Sequence, residues 1–240
     1  MCRCLLKTGC RCFCGSCQQE VPGFLPLPFL PDNGAEMYRT VISKMLKNPD
    51  LTTEKALSEY TSDTEILYDL NMSAALYIET YVRRYFKLQA LHALADAGIH
   101  VEVYGDNWGN DSDYNGFVHI HERVSSAECN RLAARSKICL NFMPWFKDGA
   151  SERVFNNMLA GSLCVSDPSF YLTEHYTDCK EIVYFDLKRM MDLPLRVKYY
   201  LDHPSEAAAI AEAGRGKAIA EDTWLERMRT VLSFMDEDGV

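Results

Sequence analysis

The strongest constraint on the fold is an alternation of short apolar segments with amphipathic ones that begins near residue 100. Five apolar segments have the length expected of strands, namely 100–104, 117–120, 138–142, 163–166 and 182–185. Strands that alternate with helices pair in parallel, and both faces of their sheet become covered. The sequence therefore predicts an α/β fold, a Rossmann-like parallel sheet with helices on both faces.

Helical periodicity fills most of the remaining chain. It predicts helices over 35–47, 54–60, 72–97, 127–135, 152–160, a short one around Tyr171, and three closing helices over 187–201, 206–221 and 224–235. We expect three parts, which are an irregular Cys/Pro-rich lead-in over 1–34, a helical remnant or linker over 35–70, and the α/β domain with C-terminal helices over 71–240. Ligands of such sheets bind at the carboxyl ends of the strands, where the strand order reverses.

The charge balance narrows the class of partner. The chain has 25 Lys and Arg against 34 Asp and Glu, which gives a formal net charge of -9. This balance argues against a nucleic-acid-binding surface, which needs clustered basic residues. An anionic small ligand remains compatible, because one cationic pocket and one helix N-terminus suffice to hold a phosphate.

Neither a membrane span nor a secretory signal is visible in the sequence. A transmembrane helix needs about 20 consecutive apolar residues, and the best candidate, at 21–31, contains four prolines. The first 18 residues alternate Cys with Arg and Gly and lack the apolar core of a signal peptide. We expect a cytoplasmic protein with no transmembrane segment.

Cysteines are concentrated at the start of the chain. Six of the ten lie within the first seventeen residues, at positions Cys2, Cys4, Cys10, Cys12, Cys14 and Cys17. Thiolates at such short spacing could bind zinc or copper(I), or the segment could be a start that the fold does not use. The C-x-C spacing differs from that of a zinc ribbon, and both interpretations stay open. The other four, Cys129, Cys139, Cys164 and Cys179, are expected to be reduced.

The stretch KDGASERVFNNMLAGSLCVSD, at 147–167, has the features of a phosphate-binding turn. Ser151 is placed to cap a helix, Gly149 lets the loop approach a ligand closely, and the amides of the first turn with Arg153 offer positive charge. Gly161 is expected to end the helix with a positive φ. The alternative is purely structural, with Gly149 in a turn and Arg153 in a surface ion pair.

Several motifs occur in an order typical of one enzyme family. They are VEVYGDNW at 101–108, SKICLNFMP at 136–144, DGASERVFNNMLAGSLCVSD at 148–167, EIVYFDL at 181–187 and YYLDHPSEAAAIAEAGRGKAIAEDTWLERM at 199–228. Over about residues 70–235 the chain resembles the CgeB-like (spore-maturation) glycosyltransferases of the group 1 type. The resemblance implies the C-terminal, donor-binding half of a GT-B glycosyltransferase, with 71–240 as the nucleotide-sugar-binding domain.

The resemblance also implies a site and its ligands. Glu152 and Arg153 are the implied catalytic residues. The implied donor-binding residues are Gly105, Asn107, Asn141, Pro144, Asp148, Gly149, Ala150, Ser151 and Asn156. The implied donor substrate is a nucleoside-diphosphate sugar, its acceptor is unknown, and neither a cofactor nor a metal is expected.

Two departures from the family pattern open an alternative. Related retaining enzymes carry the motif E-x7-E, and the equivalent positions here are Asp148 and Asn156. Asn156 has a neutral amide, which is a weaker hydrogen-bond acceptor for a ribose diol than an ionised Glu. Only some 70 residues precede the match, so the acceptor domain is expected either to be missing or to be a separate chain. The alternative function is a non-catalytic nucleotide-sugar-binding or partner module. A receiver-like domain is a further possibility, but it would need an early acidic cluster that the sequence lacks.

Three smaller patterns have both functional and structural interpretations. Asp111 and Asp113 form a D-x-D pattern that could hold a cation, but they lie in a polar loop. His119 and His121 share one face of a strand and could bind a metal, although half-buried positions of this kind are usually structural. Trp224 and Arg227 are expected to anchor the last helix.

Overall fold

The computed structural model describes residues 12–15, 32–60, 71–106 and 108–237. Its sheet has six strands, which are β1 (Cys12–Gly15), β2 (Val101–Tyr104), β3 (Val118–His121), β4 (Ile138–Asn141), β5 (Leu163–Ser166) and β6 (Val183–Tyr184). All pairs are parallel and the strand order is β3-β2-β1-β4-β5-β6. The predicted Rossmann-like sheet is confirmed, and its strand order reverses between β1 and β4.

Nine α-helices lie in the described part of the chain. They are α1 (Asp32–Lys47), α2 (Thr53–Ser58), α3 (Asn71–Asp96), α4 (Ser126–Arg135), α5 (Glu152–Leu159), α6 (Phe170–His175), α7 (Asp192–Asp202), α8 (Pro204–Glu221) and α9 (Trp224–Glu237). The predicted helices are all present, with ends that differ by a few residues, and the start of the segment 187–201 is a 3-10 turn at Leu187–Arg189. None of these helices is long and apolar enough to cross a bilayer.

Strand β1 occupies the centre of the sheet, and the sequence did not predict it. Cys12 pairs with Val101 on one side and with Ile138 on the other. The prediction of an irregular segment over 1–34 is therefore wrong at this strand. The strand was missed because its sequence, CFCG, contains one aromatic residue and no run of aliphatic residues. The interpretation of this segment as a start that the fold does not use is wrong at residues 12–15, which form β1. Cys2, Cys4, Cys10 and Cys17 lie outside the described residues, so the metal-binding interpretation stays a prediction.

Helices α1 and α2, which lie between β1 and β2 in sequence, share the core of the sheet. Buried Met37, Val41 and Ile42 of α1 belong to the same hydrophobic cluster as Val101 of β2 and Leu140 of β4. Packing of this kind means that α1 and α2 cover part of the α/β unit instead of lying apart from it. The proposed division at residues 34 and 70 stays a prediction.

Helix α5 begins and ends where the sequence indicates. Val154 and Met158 are buried in a second cluster that covers the opposite face of the sheet, as its apolar stripe predicts. Gly161 follows with φ +83°, and its amide donates to the carbonyl of Met158. A glycine relieves the strain of this conformation, and the chain then enters β5 directly.

A buried carboxylate, Asp167, holds the loop that follows β4. Its oxygens accept hydrogen bonds from the amide of Met143, at 2.6 Å, and from Nζ of Lys147, at 2.5 Å. The Asp167 side chain is 1% exposed and that of Lys147 is 13% exposed. Burial raises the pKa of Asp167, and the charge of Lys147 opposes that rise. The pair fixes the loop from β4 to α5 against the end of β5.

A second buried carboxylate, Asp222, joins the last helices to α6. Its oxygens accept from the hydroxyls of Tyr171, at 2.8 Å, and Tyr176, and from the guanidinium of Arg227, at 2.5 Å. Burial, with the neighbouring Asp222, raises the pKa of Tyr171 to about 12, so the hydroxyl stays protonated and donates. These bonds set the turn between α8 and α9 in place.

Helix α8 packs closely on the segment before β6 at Gly214, which yields a test of the fold. A Cβ at this position would lie 2.2 Å from the carbonyl oxygen of Glu181. We expect Gly214→Ala to lower the free energy of unfolding by about 2 kcal/mol, because backbone must move to admit the methyl group. Gly216→Ala is the matched control, since a Cβ there meets nothing within 4 Å, and it should stabilise by about 0.5–1 kcal/mol. Urea denaturation measures both, and equal effects would contradict the packing.

Removal of Lys147 gives a second test. Lys147→Met leaves Asp167 buried without its counter-charge, and the expected loss of unfolding free energy near neutral pH is about 3 kcal/mol. The substitution raises the pKa of Asp167 further above its unfolded value, so stability is retained at acid pH and lost as the pH rises. The loss should therefore be larger at pH 8 than at pH 5.

Lys198→Met is the control for this test, because the ion pair of Lys198 with Asp202 is exposed on both sides. Such surface pairs contribute about 0–1 kcal/mol. A Lys147→Met protein as stable as this control at pH 8 would show that the buried pair does not hold the loop.

Candidate functional site

A cleft of about 610 Å³ opens beside the carboxyl end of β4. Among the described residues, its walls come from α3, α4, the loop after β4, α5 and the first residue of α9. The lining residues are Arg83, Lys87, Ser126, Cys129, Asn130, Ala133, Asn141, Phe142, Met143, Pro144, Trp145, Phe146, Ser151, Glu152, Arg153, Asn156, Asn157 and Trp224. The cleft lies where the strand order reverses, as expected for a ligand site of this fold.

Six of the residues implied by the resemblance line this cleft together: Asn141, Pro144, Ser151, Glu152, Arg153 and Asn156. Asn141 is buried, donates to the hydroxyl of Ser166 at 2.9 Å, and accepts from the hydroxyl of Ser151 at 3.0 Å. Its amide therefore joins the ends of β4 and β5 to the residue before α5. The geometry places Asn141 as a group that orients Ser151.

Ser151 occupies the N-cap position of α5, but its side chain does not cap the helix. The hydroxyl donates to Asn141, and the amide of Ser151 donates to Sδ of Met143 at 3.2 Å. The side-chain oxygen of Ser151 therefore accepts no hydrogen bond from the backbone amides of the first turn of α5. That turn keeps its partial positive charge directed at the cleft.

Three cationic side chains converge on the cleft from two helices. Arg83 and Lys87 come from α3, one turn apart, and Arg153 comes from the first turn of α5. Lys87 is 4% exposed and lies over the ring of Trp108, and Arg83 lies over the ring of Trp145. Burial lowers the pKa of Arg83, and the charge of Arg153 lowers it further against the effect of Glu79. The like charges of Arg83 and Arg153 are thus close enough to repel each other.

The backbone at Trp145 is strained. Trp145 has φ +61°, and its amide donates to the carbonyl of Pro49 at 2.8 Å. Its indole Nε1 is buried without a hydrogen-bond partner in the described structure. A left-handed backbone conformation at a bulky residue persists only where neighbouring groups stabilise it. Trp145 lies in the wall of the cleft.

Four predicted donor-binding residues do not line the cleft in the described structure. Gly105 ends β2 with φ +119°, and its amide donates to the carbonyl of His121. A Cβ on Gly149 would lie 2.7 Å from the ring of Phe146, so packing inside the loop explains this glycine better than close approach of a ligand. Asp148 is exposed and Ala150 packs against the second core cluster. Asn107 lies outside the described residues.

The smaller patterns have structural partners. The Asp111 carboxylate accepts from the amide of Ile120, and the Asp113 carboxylate accepts from the amide of Asn110. His121 contacts Glu102 at 2.5 Å. No group of three His, Cys, Asp or Glu side chains suited to a metal occurs in the part of the chain that the structure describes.

Sequence reasoning missed Arg83, Lys87 and Trp224. The two cations interrupt the apolar face of α3, whose Ile78, Val82 and Phe86 are buried, and that interruption was a usable signal. Trp224 was expected to anchor the last helix, but it is 74% exposed and lines the cleft. The prediction is wrong for Trp224 and correct for Arg227, which bonds Asp222 and Tyr171.

Three solved structures illustrate the similarity of this fold to known proteins. The sucrose-phosphate synthase of Thermosynechococcus elongatus matches with a TM-score of 0.52 and 13% identity over 65% of this chain and 44% of that chain. HepE of Anabaena, in complex with UDP, matches with a TM-score of 0.52 and 13% identity over 63% of this chain and 46% of its own. A glycosyltransferase of Rickettsia africae matches with a TM-score of 0.53 and 14% identity, over 63% of this chain and 44% of that chain.

These likenesses confirm the predicted fold, that of one half of a GT-B glycosyltransferase, and this chain spans less than half the length of each structure. A comparison with curated proteins gave no match. The sequence profile described as glycosyl transferase-like matches residues 83–233, which is more than half of the chain. The chain therefore belongs to the glycosyl transferase-like family.

Proposed function

We propose that the chain binds a nucleoside-diphosphate sugar in the cleft and transfers the sugar to an acceptor. The observation that carries this proposal is the convergence of Arg83, Lys87 and Arg153 on the first turn of α5, at the carboxyl end of β4. A diphosphate is the part of such a donor that needs this arrangement. Membership of the glycosyl transferase-like family supports the choice of a nucleotide sugar over other phosphorylated ligands.

Electrostatics favours a doubly charged anion in this position. Burial lowers the pKa of Arg83, Glu79 opposes that effect, and repulsion by the charge of Arg153 lowers the pKa further. A diphosphate between the two guanidinium groups would replace that repulsion by two attractions, and each group could form a bidentate contact with phosphoryl oxygens. Because Lys87 is buried, its charge is screened less by solvent than that of a surface lysine.

The transfer reaction breaks the bond between the anomeric carbon and a diphosphate oxygen and forms a bond between that carbon and the acceptor, which loses a proton. Negative charge develops on the departing diphosphate, and positive charge develops on the sugar ring. Arg153 and the amides of the first turn of α5 would stabilise the departing diphosphate. The Glu152 carboxylate lies in the same turn and would stabilise the sugar ring through its negative charge. The same carboxylate accepts a hydrogen bond from Nδ2 of Asn156 at 3.4 Å.

The finer assignments belong to the same proposal. The motifs support assignment to the CgeB-like subgroup. Asn156 would form a hydrogen bond with a hydroxyl of the donor through its neutral amide. We propose no metal or cofactor. The UDP complex of Anabaena HepE makes UDP and UDP-sugars the first ligands to test. The acceptor would be bound by a part of the protein, or a separate chain, beyond the donor-binding fold. We also propose a cytoplasmic location.

Donor binding is tested first, by calorimetric titration with UDP, GDP and their sugars. We expect Arg153→Ala and Arg83→Ala each to weaken binding about tenfold to a hundredfold, because each removes a charge-assisted contact to the diphosphate. Arg131→Ala is the control, since Arg131 is exposed on α4, pairs with Glu128 and does not line the cleft. Wild-type protein that binds none of these ligands, or Arg153→Ala protein that binds as tightly as wild type, would remove the proposed site.

Turnover is tested with Glu152→Gln. We expect release of the nucleoside diphosphate from the bound donor to slow by about tenfold to a thousandfold, because the neutral amide cannot stabilise positive charge on the sugar. UDP affinity should be unchanged or tighter, since a negative charge near the diphosphate is removed. The readout is the rate of nucleoside-diphosphate release to water or to a panel of acceptors. Wild-type protein that binds donor and releases no product would instead support the non-catalytic module.

A further inference from the structure

Trp224 combines high exposure with a position on the cleft. Its side chain is 74% exposed, yet it lines the same cleft as α4 and as Asn156 and Asn157 of α5. A large aromatic side chain left in water is costly, because its burial against another surface would release a few kcal/mol. A tryptophan so placed is suited to contact a ring that enters the cleft.

The start of α9 is held firmly against α5. The Arg227 guanidinium lies 5.4 Å from the ring centroid of Phe155 on α5 and 5.0 Å from that of Tyr171. The same guanidinium donates to the buried Asp222 carboxylate, and the hydroxyl of Thr223 accepts from the amide of Glu226. These contacts fix the residues on both sides of Trp224, so the indole is presented to the cleft from a fixed backbone.

Charge divides the cleft into two parts. The cations Arg83 and Lys87 come from α3, and Arg153 comes from the start of α5. The α4 wall and the second turn of α5 instead present the neutral groups Ser126, Asn130 and Asn156. A nucleoside diphosphate has the same division, with charge in its phosphates and neutral hydrogen-bonding groups in its ribose and base. Complementarity therefore directs the nucleoside toward the neutral lining residues, and the uncharged indole of Trp224 is one of them.

We propose that the indole of Trp224 stacks on the base of the nucleoside diphosphate, and that the neutral part of the cleft is the nucleoside subsite. The proposal rests on the proposed function, since it assumes that the diphosphate lies among the three cations. Stacking on an indole tolerates any base, and the hydrogen-bonding groups of Ser126 and Asn130 would then discriminate between bases.

The other exposed apolar residues of α9 do not share this position. The side chains of Leu225, Met228 and Leu232 are each at least 50% exposed, but they do not line the cleft. Leu225 is adjacent to Trp224 in sequence and is 61% exposed. It therefore serves as a matched control for the loss of exposed apolar surface at the start of α9.

The test compares the binding of a nucleoside diphosphate with that of inorganic pyrophosphate. For whichever of UDP, GDP and ADP the wild-type protein binds, Trp224→Ala should weaken binding about tenfold to a hundredfold, the range of base stacking on an aromatic side chain. Pyrophosphate should bind Trp224→Ala and wild type equally, because it has no base. Trp224→Phe should recover most of the lost affinity, and Leu225→Ala should bind both ligands as wild type does.

The outcomes separate this inference from the proposed function. Wild-type protein that binds no nucleoside diphosphate refutes the proposed function, and the stacking role falls with it. If the Trp224→Ala protein binds UDP as tightly as wild type does, the stacking role is refuted and the proposed function is not. An equal loss of UDP and pyrophosphate affinity in Trp224→Ala also refutes it, since the residue would then act through the fold or the phosphates. An unchanged melting temperature of Trp224→Ala shows that the variant is folded.

Discussion

The Asp167 carboxylate is the group on which the arrangement of the cleft depends. It lies at the end of β5, and it accepts hydrogen bonds from the loop that follows β4, at Met143 and at Lys147. An ionised carboxylate that is 1% exposed is stable only with such partners. The loop between these residues carries Pro144, Trp145 and Phe146 into the cleft. The buried pair therefore sets the position of one whole wall, including the strained backbone of Trp145.

The strand order explains how residues distant in sequence reach the same ligand. Because β1 lies between β2 and β4, the crossover helices on either side of the reversal leave a crevice at the strand ends. Helix α3, which precedes β2, faces that crevice with Arg83 and Lys87, and α5, which follows β4, faces it with Arg153. A chain with net charge -9 thus carries a local positive site. Its overall sign describes the outer surface and says little about the cleft.

Much of the fold follows from local sequence, whereas the site depends on tertiary packing. The apolar run at Leu163–Ser166 has no helical alternative of that length, and its predicted bounds agree with the observed strand. Strand β1 could not be predicted, since its pairing partners Val101 and Ile138 lie far away in sequence and its own residues give no period. Gly149 was predicted to let a ligand approach, but a Cβ at this position would instead meet the ring of Phe146 in the same loop, a contact that the sequence pattern does not reveal.

The two buried aspartates hold two segments that contribute residues to the cleft wall. Asp167 holds the loop after β4 through Lys147, and Asp222 holds the turn before α9 through Arg227. Both carboxylates are paired with a cation and with neutral donors, so each satisfies its charge without using the cations of α3. The backbone around the cleft is fixed before a ligand arrives. Groups held in this way need little reorganisation when charge develops, which is the condition under which fixed dipoles and charges stabilise a transition state most strongly.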